Sequence, residues 1–417
     1  MRPFVSVVAA SCALLGAARP APVFRVSVSV SPFLEMVLRA GVRFTDGTRT
    51  AASTEELERL FVSHGANEVY ARISTRQSLV RGAGDHSMDR GLSRARLAAA
   101  LRLPFNPELG LFGSYGDIRC QPPPDFGDYR DIVLPGAWSS LTLEQMKSAL
   151  RRYGAAAAKQ IVATGATVDI WDIGNEVEFG VAGVAVRPIP GGCDAAAGAT
   201  SVYEAPDKID RAIGRMSVVQ LAQMDPARRI AWLREHLWPY EAQLLAAVAA
   251  GVRSIEPGAR FSTHVSGMAA TQADVAAAFF TAMKSGGFDV DEAGVSYYPT
   301  SSANPKDRLQ AFKDMATAVK AAIGRPVFIA ELGYPAATMS GPFTWNDAVP
   351  GYPLTEDGQA RFIRDLVTWG RHDGVLSGIR PWAPDLVAPG WAPMSMFVRQ
   401  GGRVVRARAA LDAFAAR

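Results

Sequence analysis

Three cysteines, five histidines and seven lysines are few for 417 residues, and each scarcity removes a class of function. There is no Cys-x-x-Cys pair and no His-Glu-x-x-His, so neither a structural zinc site nor metalloprotease chemistry has its ligand set. A phosphate-cradling glycine loop and a dinucleotide fingerprint are equally missing. Lys and Arg form no block: the formal charge of +4 comes from basic and acidic residues interspersed along the chain, so nucleic acid is not an expected partner. The shortage of Lys beside abundant Arg and Ala reads as a compositional habit rather than a binding surface. Beyond the N-terminus no apolar run is long enough to cross a bilayer.

What is present is a core-forming composition, 48% hydrophobic and 20% charged, as in globular proteins. The start, MRPFVSVVAASCALLGAARPAP, has a basic residue at Arg2, an apolar run from Phe4 to about Leu15 and small residues at 16–18. That pattern predicts a signal peptide over 1–21 and a secreted or periplasmic protein with no membrane attachment after cleavage. The apolar run ahead of Cys12 is too short to favour a lipid anchor. Cleavage leaves Cys120 and Cys193, for which a bridge and two separate thiols are both open. We expect a monomer without a cofactor, since no spacing identifies ligands even for a structural calcium.

Residues 22–417 are expected to form one catalytic domain, because an α/β barrel uses more than 250 residues as a single unit. Apolar runs alternate with amphipathic stretches, the pattern of βα units around a parallel sheet. Eight strands are predicted at 24–31, 67–74, 109–115, 167–175, 260–266, 288–299, 326–332 and 374–382. This makes a (β/α)8 TIM barrel. Capping boxes at Ser53/Glu56 and Thr142/Gln145 mark helix starts, and another helix opens near Thr355. The connection after the fourth strand, 177–240, is out of proportion and ends in a helical DPARRIAWLREHLW. Such loops at strand C-termini vary specificity in barrels, so it is expected to border the cleft.

Two glutamates end strands. Glu176 follows WDIGN and Glu331 ends PVFIAE; ends of strands four and seven face each other across a closed barrel mouth. Cleavage of a glycosidic bond with retention needs such a pair about 5 to 5.5 Å apart, one carboxyl to protonate the leaving oxygen and one to attack the anomeric carbon. Either glutamate alone could be a solvated loop carboxylate. Together, in this order, they point to catalysis.

The chain resembles glycoside hydrolase family 53, the arabinogalactan endo-β-1,4-galactanases of clan A. The likeness is carried by VSVSPFLEMVLRAGVRFTDGTRT, ANEVYARIS, IWDIGNEVEFG, GVSYYP, VFIAELGYP and YPLTEDGQARF, in the family's order. The resemblance implies a retaining endo-acting hydrolase of β-1,4-galactan or a related β-linked polysaccharide. Glu176 would be the acid/base, its pKa raised, and Glu331 the nucleophile. Asn175 would bind the 2-hydroxyl of the sugar in the −1 subsite, Arg72 would lie beside the nucleophile, and Trp382 would form an aromatic floor. His264 matches a cleft histidine, and Tyr115 and Asp117 match a third-strand motif. Tyr298, alternating with Ser296, can donate to Glu331, which turns Tyr297 the other way. Glu178 lacks the preceding Asn and ranks below Glu176.

Two departures bear on substrate. Ser114 stands where the family has His, and WAP at 382–384 replaces the family's Trp-Glu-Pro. A clan A enzyme for another β-glycan and a non-catalytic carbohydrate-binding barrel are the alternatives; the presence of both glutamates argues against the second.

Overall fold

The computed structural model describes residues 23–79, 84–193, 208–301, 306–341 and 344–415. The expected signal peptide, 1–21, lies outside them. Eight strands close a barrel in which every neighbour runs parallel: β1 (Arg25–Val28), β2 (Glu68–Ile73), β3 (Phe105–Leu109), β4 (Trp171–Ile173), β5 (Phe261–Val265), β6 (Glu292–Tyr297), β7 (Val327–Leu332) and β8 (Leu376–Pro381). Almost every strand residue is buried, because helices cover the outside and side chains fill the inside.

Seven strands fall within the expected segments and the third does not. β3 is Phe105–Leu109, not 109–115. Its sequence, FNPEL, carries Pro107 and two polar residues, which reads as a turn. In the barrel, Asn106 and Glu108 share the inward face, where Arg380 and Arg72 donate to them. The polar residues of a barrel interior defeat a pattern that equates strands with apolar runs.

The helices follow local signals. α1 (Thr54–Ser63) and α3 (Leu143–Val162) begin at the Ser53 and Thr142 capping boxes, and α2 (Met88–Leu101) and α7 (Glu356–Asp373) at Ser87 and Thr355. α4 (Trp238–Arg253), α5 (Ala273–Ser285) and α6 (Arg308–Ile323) complete the outer layer. After β8 a 3-10 helix, Ala409–Ala415, packs on α7. α3 and α4 touch closely because of two glycines: a Cβ on Gly154 would lie 2.3 Å from the Val248 carbonyl oxygen, and one on Gly251 would lie 2.0 Å from that of Arg151. Four short strands, Arg43–Thr45, Thr50–Ala51, Phe397–Gly401 and Val404–Ala407, join the segment after β1 to the one after β8.

The long connection after β4 contains a hairpin, Gly180–Val181 with Val184–Ala185, and a helix, Pro226–His236, capped by Asp225. Its described part stands behind the cleft wall and does not form it. Arg229 of that helix reaches Gln272 and Met268, and Cys193 is bonded to Cys120 (S–S 2.04 Å), which settles the pairing left open by the sequence.

Candidate active site

The cleft opens at the C-terminal ends of the strands, where barrel enzymes place their chemistry. Its lining includes Glu176 and Glu331 together with Tyr115, Asp117, Tyr298 and Trp382. Glu331, at the end of β7, receives a hydrogen bond on each oxygen: Arg72 Nη2 donates to Oε1 (2.5 Å) and the Tyr298 hydroxyl to Oε2 (2.6 Å). Burial, and then the nearby Glu331 charge, push the Tyr298 phenol well above its usual range, so it stays a neutral donor. Tyr297 points outward as the alternation requires, stacking on Phe312 at 4.1 Å.

Glu176 has a different environment. Among the described residues its backbone donor is Ile118 N–H, at 3.3 Å from Oε2. Burial chiefly, then the charges of Glu331, Asp117 and Glu178, push its carboxyl up to about 8. A carboxyl so placed holds a proton at neutral pH, as a general acid must. Glu178, two residues on, is spent on structure: the Ser266 hydroxyl and backbone N–H both donate to its carboxylate.

Asn175, the residue before Glu176, is fully buried. Its Oδ1 accepts from Arg72 Nη2 (2.9 Å) and His264 Nε2 (2.7 Å), and its Nδ2 donates to the Gly116 carbonyl (2.7 Å). The amide is therefore held in one orientation, with one N–H left over. His264 is also fully buried. It sits beneath Asn175 and does not line the cleft, contrary to the sequence expectation. Burial alone would lower its pKa, but Asp172, 3.6 Å from Nδ1, outweighs this and raises it to about 8. The ring thus favours the protonated form at neutral pH and donates from Nε2 to Asn175.

Under the carboxyl pair lies a layer of charge in which Glu108, Asp172 and Arg380 join Arg72 and His264, the two expected from the sequence. Arg72 Nε donates to Glu108 (2.5 Å). Arg380 stands 3.9 Å from Glu108 and 3.6 Å from Asp172, with its guanidinium 3.8 Å over the Tyr70 ring. Three carboxylates, Glu108, Asp172 and Glu331, thus face Arg72, Arg380 and the His264 imidazolium. Glu108, Asp172 and His264 lie close enough together to suggest metal ligation. Arg72 and Arg380 stand against these carboxylates, and His264 Nε2 meets Asn175.

The cleft walls differ in character. Trp345, Trp382, Trp391 and Tyr298 make one side, with Trp382 edge-on to Trp391 at 4.9 Å and Tyr298 against Trp345 at 5.0 Å. Asp117, Ile118 and Arg119 make the other, where Arg119 grips Asp117 through Nε (3.0 Å) and Nη2 (2.7 Å). Tyr115 stacks on His86 at 5.6 Å. Burial first, then Arg72 and Arg90, drive His86 well below its usual pKa, so it is neutral. Trp345, Trp391 and His86 carry no motif that marks them in sequence. Asp172 does leave a trace, as a carboxylate between Trp171 and Ile173, whereas Glu108 in FNPEL does not.

The family model for glycosyl hydrolase family 53 matches residues 212–408, a span that takes in His264, Tyr298, Glu331 and Trp382 and begins after Glu176. No curated protein matches the chain by sequence. Among solved structures, the family 53 catalytic domain of Ignisphaera aggregans is 17% identical with a TM-score of 0.67, covering 96% of this chain and 97% of that one. A structure from work on two fungal β-1,4-galactanases is 18% identical with a TM-score of 0.66, covering 94% and 98%. A psychrophilic family 10 endo-β-1,4-xylanase is 13% identical with a TM-score of 0.51, covering 94% and 96%. At these identities the structural likeness speaks for the barrel. The chain is thus similar to glycosyl hydrolase family 53 over residues 212–408 and shares the (β/α)8 barrel of these structures.

Proposed function

We propose that the protein is a secreted, retaining endo-glycosidase that cleaves β-1,4-galactan of the arabinogalactan type or a closely related β-linked polysaccharide by double displacement. The observation that carries this is the unequal treatment of two carboxyls in one cleft. Glu331 is gripped by a guanidinium and a phenol hydroxyl, which present it as a carboxylate nucleophile. Glu176 is buried with one weak donor and keeps its proton to about pH 8, which suits it to protonate the departing oxygen. In the first half-reaction Glu331 bonds to the anomeric carbon as the glycosidic C–O bond breaks and the proton passes from Glu176 to the leaving sugar. In the second, water attacks the anomeric carbon, gives its proton to Glu176 and releases Glu331. Trp382, which lines the cleft, would offer an indole face to the apolar side of the ring. The Cys120–Cys193 bridge suits the oxidising compartment to which a signal peptide would deliver the chain.

Ser114 and Ala383, at the two departures from the family pattern, favour as a second reading the same chemistry on a different β-glycan. A panel of β-1,4-galactan, xylan, mannan and glucan, assayed for reducing sugar, tests both. Release from galactan alone supports the first reading, and release from another polymer alone replaces it. If none is cleaved, or if Glu176→Ala and Glu331→Ala leave hydrolysis unchanged, the enzyme reading of these residues fails.

A further inference from the structure

Glu176 has a left-handed backbone, with φ +50°, and follows Gly174 at φ +85°. A residue with a Cβ is disfavoured there by about 1–3 kcal/mol and persists only where its surroundings hold it. The holder is identifiable. Gln121 Nε2 donates to the carbonyl of Asn175 (2.6 Å) and to that of Glu176 (3.2 Å), bracketing the strained residue from both peptides. Gln121 is 4% exposed, so water offers those carbonyls little alternative.

Gln121 belongs to a turn that is itself braced. Asp117 and Cys120 exchange backbone hydrogen bonds (2.9 and 3.0 Å), and Ile189 N–H donates to the Arg119 carbonyl (3.0 Å). Cys120 is bonded to Cys193. The same turn supplies the Ile118 N–H that meets the Glu176 carboxyl and the Asp117 charge that faces it. One short segment after β3 thus touches Glu176 at its backbone and at its carboxyl.

We propose that Gln121 is a positioning residue for the acid/base: by clamping the Asn175 and Glu176 carbonyls it holds the left-handed backbone that aims the Glu176 carboxyl at the leaving-group oxygen. This rests on the reading of Glu176 as the proton donor. Without the clamp the backbone relaxes, the carboxyl swings toward solvent, and proton delivery suffers while attack by Glu331 does not.

Gln121→Met keeps the length without a donor, and Gln121→Glu keeps the shape with an acceptor in the donor's place. Each is compared with the unaltered enzyme on β-1,4-galactan and on 2,4-dinitrophenyl β-galactobioside, whose phenolate departs without a proton. The clamp predicts a fall in kcat/KM of about 10- to 100-fold on galactan and under about threefold on the dinitrophenyl substrate. Equal falls on both, or none on either, overturn it. Carboxyl 13C NMR gives a readout that needs no substrate: in Gln121→Met, which adds no charge, the Glu176 titration midpoint moves down by about one pH unit or more as the carboxyl gains solvent, and an unchanged midpoint overturns the clamp. If the unaltered enzyme cleaves neither substrate, the functional reading fails by itself while the NMR titration still decides the role of Gln121.

Discussion

The Tyr298 hydroxyl lies 2.6 Å from Glu331 Oε2, while Arg72 holds Oε1 of the same carboxylate. Two donors, one on β2 and one just after β6, thus fix one carboxylate. A hydrogen bond to a charged group contributes about 1.5–3 kcal/mol. Tyr298→Phe should therefore cut kcat/KM by about 10- to 100-fold without unfolding the protein. Arg72→Lys should cost more, because a point charge cannot serve Glu108, Asn175 and Glu331 at once as the planar guanidinium does. Steady-state kinetics beside a thermal melt check both; a Tyr298→Phe enzyme with full activity removes the hydroxyl from the mechanism.

The raised Glu176 carboxyl sets a pH dependence whose sign can be worked out. Its proton is lost as pH rises through about 8, so kcat/KM should fall on that alkaline side. Stability runs with it. The unfolded chain ionises this group near its ordinary value while the folded chain still holds the proton, so between about pH 4.5 and 8 the group costs stability that grows with pH. Glu176→Gln should abolish turnover of unactivated substrate and stabilise the protein, by on the order of 4 kcal/mol at pH 8 and little at pH 4.5, read as a higher melting temperature. A variant no more stable than the parent at pH 8 contradicts the buried, protonated carboxyl.

Cys120 and Cys193 close a loop with a sequence separation of 73. In the chain-entropy account a bridge of that span stabilises by about 4 kcal/mol. Replacing both cysteines by Ser should lower the urea midpoint and steepen the slope, since the unbridged unfolded chain is less compact. A midpoint equal to the parent's shows that other contacts of the turn suffice.

Trp382 is partly exposed in the cleft and braced edge-on by Trp391. Trp382→Ala removes a sugar platform worth about 1–3 kcal/mol. KM for polymer should rise about 10-fold or more, with a smaller change in kcat. Loss confined to kcat, with KM unchanged, assigns the indole to packing around Tyr298 instead.

Much of this site was legible in the chain before folding. Seven of eight strands, the helix caps at Ser53, Thr142 and Thr355, and the strand-end placement of Glu176 and Glu331 all depend on neighbours a few residues away. The inward turn of Tyr298 against Tyr297 followed from two-residue alternation alone. What failed to read was whatever depended on distant partners. β3 went astray because Asn106 and Glu108 earn burial from Arg380 and Arg72, far along the chain. His264 was taken for a cleft residue because nothing local tells a buried imidazolium from an exposed one.

The sequence by itself determined that this chain would close a parallel barrel and carry a glutamate at the ends of its fourth and seventh strands, since periodicity and caps are local properties. Only the tertiary structure decided that those two glutamates would differ. Burial beside Glu331 and Asp117 keeps a proton on Glu176, while Arg72 and Tyr298 converge on Glu331 from other strands. Charge and solvation act through space, so identical side chains acquire opposite roles only once the barrel has brought their neighbours in.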